Sequence, residues 1–246
     1  MMLGARNGAW AKSGSPTPAA YGGLCFTAEA DNSSVQLTAV GSAPAVTLVK
    51  SFDGVNWEDY TVGEVIDLPS TGDFVYLAAG EGGNETFGSS SSVYHKFVIN
   101  GLVAASGDIT SLRRLDLEQT TLAKYCYTRM FRDCTGLTSA PELPATTLAI
   151  FCYDSMFRDC TGLTSAPELP ATTLKAQCYN SMFKYCKNIS IIKIHFTSWD
   201  MSTFTEKTNG WVSGVASTGT FYKPSSLPEE YGISKIPTGW TVVNID

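Results

Sequence analysis

The sequence predicts an α+β protein: an N-terminal antiparallel β-sandwich, a stack of 26-residue helix-plus-strand units, and a C-terminal cap. Three observations predict it. Short alternating apolar runs separated by Gly, Ser and Asn clusters fill residues 24–106. Residues Met130 to Leu148, MFRDCTGLTSAPELPATTL, recur unchanged at Met156 to Leu174, a fixed period of 26. Residues 197–246 leave that period and scatter Trp211, Phe221, Tyr222 and Trp240 among Gly, Ser and Pro.

Residues 1–23 hold Ala, Gly, Ser and Pro with single charges at Arg6 and Lys12. They are too poor in apolar groups to fold alone and read as an attachment arm that orders against a partner. No apolar core of a secretion signal is visible there, and no run approaches the roughly 20 apolar residues that cross a bilayer. The expectation is a soluble chain that starts in the cytoplasm, without membrane insertion.

From residue 24 the runs FTAEA, SVQLTAV, AVTLVKSF, FVYLAA and YHKFVI read as strands of a small immunoglobulin-like sandwich ending near 106. Asp53-Gly54 marks a hairpin between VTLVKSF and VNWEDYTV. By composition Gly80 to Ser92 reads as a mobile loop.

Residues 107–196 carry about three repeat units. In the first, Leu122, Cys126, Tyr127, Met130, Phe131 and Cys134 share one face at helical spacing. Thr120 or Thr121 is the expected N-cap, and Gly136 the left-handed residue that ends the helix. A short extended rung follows from Leu137 to Pro144, made irregular by Pro141, which has no N–H to give. In the third unit the rung reads ISIIKIHF, Ile189 to Phe196, and is expected to be the best strand of the stack. Residues 197–246 read as the cap that covers its last apolar face.

Only 16% of residues are charged, well under the usual quarter, and the formal net charge is −6 without a Lys/Arg cluster. No nucleic-acid or anionic-lipid footprint results. His95 and His195 are the only histidines, one in the β-region and one at the end of the repeats, so an imidazole-based triad has to form across the two. No carboxylate pair is named by any motif. The reading is non-enzymatic, with no catalytic residue, cofactor or metal.

Six of seven cysteines fall at repeat positions. Their spacing lacks the two-to-four-residue gaps of zinc sites, and buried Cys behaves as a small hydrophobe. On a helix Cys126 and Cys134 lie about 12 Å apart, beyond the roughly 7 Å a disulfide spans. Tyr127, Tyr153 and Tyr179 offer either a stacking surface for sugars or packed contacts with wet hydroxyls, and packing is the ordinary reading. Asp53, Glu58 and Asp59 lack calcium-loop spacing.

The unit C-x-x-L-T-x-A-P-x-L-P-A-T-T-L-x-x-x-C-Y-x-x-M-F-x-x-C resembles the BspA-like leucine-rich repeat surface proteins over Thr120 to about Phe196. The tail from Gly210-Trp211 to Pro237-x-Gly-Trp240 is similar to the ending of such proteins in gut Bacteroidetes and their phages. The resemblance implies a leucine-rich solenoid and adhesion or recognition at a surface, without catalysis. The period of 26 departs from the commoner one of the family. With no export signal, it implies a phage virion-surface protein of capsid or tail, holding other virion proteins through the arm. Host glycan or protein is the expected ligand, and oligomerisation stays open. The alternative is a bacterial cell-surface adhesin, and a third reading is the accessory part of a carbohydrate-active enzyme.

Repetition turns weak exposed contacts into an array. The candidate binding face is Arg132, Asp133, Arg158 and Asp159 on the helix side, with Glu142 and Glu168 on the rung side. Its ordinary reading is a solvated, self-paired surface. Free thiols carry a physical consequence: the thermal midpoint should be the same with and without reductant. A large drop in reductant, read by circular dichroism, means that disulfides bridge the units.

Overall fold

A computed structural model describes residues 22–114, 121–199 and 207–245. The proposed arm, residues 1–23, lies outside the described residues up to position 21, as does Thr120.

The first part of the chain forms two facing antiparallel sheets. One joins β1 (Cys25–Ala28), β3 (Leu48–Ser51), β4 (Glu58–Tyr60), β6 (Phe74–Ala79) and β9 (Val103–Ser106) in the order β9-β1-β6-β3-β4. The other is β5-β2-β8-β7, from β2 (Ser33–Val40), β5 (Val65–Leu68), β7 (Gly88–Ser90) and β8 (Val93–Asn100). Apolar side chains from both meet between the sheets, where Phe26 of β1 sits edge-on to Phe97 of β8 at 4.9 Å. Asp53 turns the β3–β4 hairpin: its carboxylate accepts from the N–H groups of Val55 and Asn56 at 2.8 and 2.7 Å, and Gly54 is left-handed.

The expected mobile loop is fixed. Asn84 donates its side-chain amide to the carbonyls of Thr47 and Leu112, and Phe87 is buried.

The helix-plus-strand unit is not what the repeats form, and the α+β class and the leucine-rich solenoid fall with it. The described residues contain no α-helix, and the only helical piece is a 3-10 turn at Ile109–Leu112. Residues 124–134 instead make a run of turns in which every fourth residue, Tyr125, Arg129 and Asp133, has φ of 57–66°. Phe151, Ser155 and Asp159 repeat this in the second unit, and Gln177, Ser181 and Tyr185 in the third.

The error has a physical origin. A period of four drifts by only ~40° per cycle on a 3.6-residue helix, so burial at i, i+4 and i+8 fits both structures. Hydrogen bonds tell them apart. In the turns, alternate N–H groups (Cys126, Thr128, Met130, Arg132, Cys134) donate to the carbonyl three residues back. Those between them point sideways: Tyr127, Arg129, Phe131 and Asp133 donate to Cys152, Asp154, Met156 and Arg158 of the next unit at 2.8–2.9 Å. Past its first turn a helix keeps its N–H groups for itself and leaves none for a neighbour.

The same ladder runs through the whole molecule. Phe87 and Phe97 of the sandwich donate to the carbonyls of Cys126 and Met130 of the first unit. Tyr179, Ser181, Phe183 and Tyr185 of the third donate to Lys207, Asn209, Trp211 and Ser213. Residues 207–213 therefore act as a further, degenerate layer, and fully buried Trp211 covers the last apolar face.

On the rung side β10 (Leu137–Ser139) pairs in parallel with β9, irregularly, just ahead of Pro141. The third rung gives only a short strand, β11 (Ile191–Lys193), which pairs in parallel with β12 (Thr220–Lys223), and that in turn with β13 (Thr241–Asn244). Gly136 is not left-handed, contrary to expectation. It is glycine because a Cβ there would meet the Gly101 carbonyl oxygen at 2.0 Å.

Register stacks like on like. Tyr127, Tyr153 and Tyr179 lie 5.9 and 6.0 Å apart with nearly parallel rings, and Phe87 and Trp211 close the column at either end. Phe97, Phe131, Phe157 and Phe183 make a second column at 5.0–5.9 Å, also ending on Trp211. Each phenylalanine ring contributes about 1.5–3 kcal/mol on burial, and each stacked pair about 0.5–1.5 kcal/mol more.

A left-handed L-residue costs roughly 1–2 kcal/mol that glycine escapes. At half-buried Gln177, φ 52°, Gln177→Gly should therefore be more stable than Gln177→Ala by about 1 kcal/mol in denaturant unfolding. The opposite order in an interior helix makes this a direct test of the turn geometry.

Candidate functional site

The turns and the rungs each put a surface of the stack in place. On the turn surface, Asp133 and Asp159 occupy left-handed positions that short acidic residues tolerate. Asp133 pairs with Lys96 at 3.1 Å and with the Nε of its neighbour Arg132 at 3.6 Å. Arg158 donates from Nε to Asp159 at 3.2 Å, and its guanidinium lies 5.5 Å from the ring centroid of Tyr185.

On the rung surface Glu142 and Glu168 line a groove of about 370 Å³ with Pro141, Pro144, Pro167 and Pro170. The two glutamates differ in their partners. The backbone of Glu142 bridges to Asp108, whereas the carboxylate of Glu168 is held by Lys193 at 2.9 Å and His195 at 2.5 Å. Hydrogen bonding from Lys193 keeps Glu168 below the ordinary carboxylate range. None of the four turn residues lines the groove, so the six candidates form two surfaces and not one site.

The two histidines lie apart, and only His195 adjoins the candidate residues. His95 is buried with Nδ1 3.1 Å from the Phe87 carbonyl, and burial lowers its pKa. His195 stands on the rung beside Glu168.

All seven cysteines are free and buried. Burial pushes the thiols of Cys126, Cys134, Cys178 and Cys186 up to about 12. As neutral S–H groups, Cys134, Cys160 and Cys186 each donate to a phenylalanine carbonyl of the preceding layer, at 3.2, 2.9 and 2.8 Å to Phe97, Phe131 and Phe157. The helical distance that argued against a bridge between Cys126 and Cys134 no longer applies, and the thiols are used as inter-layer donors instead. Among the described residues no group of three or more His, Cys, Asp or Glu side chains is placed to hold a metal ion. The tyrosine column is enclosed, at most 1% exposed, so it presents no stacking surface and its hydroxyls do not reach water.

One polar column escaped the sequence reading. Thr128, Asp154 and Asn180 occupy equivalent places in the three units, next to the conserved-in-repeat Tyr. Asp154, 3% exposed, accepts from Asn180 Nδ2 at 2.5 Å and from Thr128 Oγ1 at 3.3 Å, with Arg129 Nε at 4.0 Å. The signal available was the change Thr, Asp, Asn where the neighbouring core residues stay the same.

Comparison with protein families, with curated proteins and with solved structures gives no match to this chain.

Burial raises the pKa of Asp154 above the ordinary 3.8, outweighing its hydrogen bonds. A carboxyl raised in the folded state stabilises fully below the unfolded value, and that contribution is lost as pH rises through the folded value. Asp154→Asn, which copies Asn180, should remove this loss. The wild-type midpoint should fall relative to the variant as pH rises from below 3.8 to neutrality. Parallel pH profiles for the two proteins in thermal melts would show that the buried carboxyl is not the source.

Proposed function

We propose that the chain is a non-enzymatic structural and binding protein presented at a surface, specifically that of a phage particle. One observation carries the first part: the chemistry-bearing side chains are spent on holding layers together. The thiols donate between layers and the tyrosines stack in the core. What faces solvent is a charged turn surface and a proline-edged groove bearing Glu142 and Glu168. A rigid array of this kind suits repeated weak contacts, which gain strength by acting together.

The phage address rests on the likeness of the repeat and the tail to BspA-like surface proteins and their phage-borne forms. Residues 1–23 are proposed to attach the chain to other virion proteins. The test is mass spectrometry of purified particles and, separately, of washed cell envelopes from the source culture. Peptides of this chain in particles support the virion assignment. Peptides found only in envelopes replace it with a bacterial adhesin, and turnover of a glycan by the purified protein would overturn the non-enzymatic reading.

A further inference from the structure

The three units act as one another's controls at a single surface position. Asp133 and Asp159 are left-handed, with φ of 66° and 64°, and each lies beside the arginine that precedes it. In the third unit the same position holds Tyr185, also left-handed at 66°.

The exchange also changes the charge. The acidic partner found beside the preceding cation in the other two units is replaced by a ring 45% exposed. Two cations lie over that ring: Arg158 Cζ is 5.5 Å and Lys184 Nζ 5.1 Å from its centroid. Gly214 helps to seat it, since any Cβ there would come within 2.9 Å of Tyr185 Cδ1. The carboxylate of Asp159 accepts from the Nε of Arg158 at 3.2 Å. Exposed Lys187 follows two residues later.

We infer that Arg158, Lys184 and Tyr185 form a binding site for the carboxylate or sulfate groups of an anionic polysaccharide, which rests on the surface-binding reading above. The ring pre-positions two charged donors and adds its own hydroxyl, and charge-assisted hydrogen bonds are the strong ones. Arg132, Arg158 and Lys184 are equivalent residues in successive hydrogen-bonded layers, ~4.8 Å apart as in any sheet. That spacing suits a polymer with a charge on each unit, whose contacts add, better than a single ion on an open surface. With a formal net charge of −6 the chain has no overall attraction for polyanions, so binding has to come from local cations.

The test is titration of the purified full chain with polygalacturonate, dextran sulfate and neutral dextran. Binding of at least one polyanion, weakened by salt, is expected, with no binding of dextran. Polygalacturonate alone marks carboxylates as the ligand, and dextran sulfate alone marks sulfates. Tyr185→Asp, which restores the residue of the other units, and Lys184→Gln should each weaken binding about tenfold. Lys235→Gln, in the C-terminal segment, should leave it unchanged, and thermal melts verify that each variant is folded. Undiminished binding by folded Tyr185→Asp and Lys184→Gln, equal binding of dextran, or no polyanion binding overturns the site. Particle mass spectrometry stands apart from all of these outcomes, so the site can fail while the surface assignment holds.

Discussion

The structure depends on how the repeat divides its backbone N–H groups. Half close local turns and half reach the next layer, and this division excludes the helix, in which the N–H groups beyond the first turn are satisfied within their own segment. It comes with a left-handed residue at every fourth position, itself one of the donors that point sideways. The cost of those residues is offset by the ladder that they permit. Unpaired buried backbone groups would cost at least as much.

Once layers are joined in register, side-chain identity does the rest. Tyrosine meets tyrosine, phenylalanine meets phenylalanine, and a thiol meets the carbonyl of the layer before. The sandwich supplies the first layer through Phe87 and Phe97, and Trp211 supplies the last. One apolar core therefore runs from the sheets into the C-terminal segment without a break. The buried carboxylate of Asp154 sits inside this core because Thr128 and Asn180 are at its level in the layers on either side.

Much of this was legible in the sequence, but not its conformation. The period, the buried positions and the Asp53 hairpin follow directly from residue type and spacing. The turns do not, because Cys126-Tyr127, Met130-Phe131 and Cys134 satisfy a helical face as well as a four-residue turn. What separates them is the destination of hydrogen bonds, which residue type does not report. Gly136 misled in the same way: its role is close approach to Gly101, a contact between residues distant in sequence. Of the candidate surface, Arg158 and Glu168 were visible as repeated exposed positions. Tyr185 was hidden because attention to what repeats passes over the one unit that differs.

The identity of residues 130–148 with residues 156–174 has a meaning at the level of the gene. Tandem coding stretches for the same peptide invite unequal recombination, and each exchange adds or removes one whole layer. Because a layer bonds only to its neighbours, such a change leaves the sandwich and the Trp211 end as they are and moves them ~4.8 Å closer together or farther apart. The molecule is in that sense a spacer of adjustable length, with its ends fixed in character and only their separation open to selection.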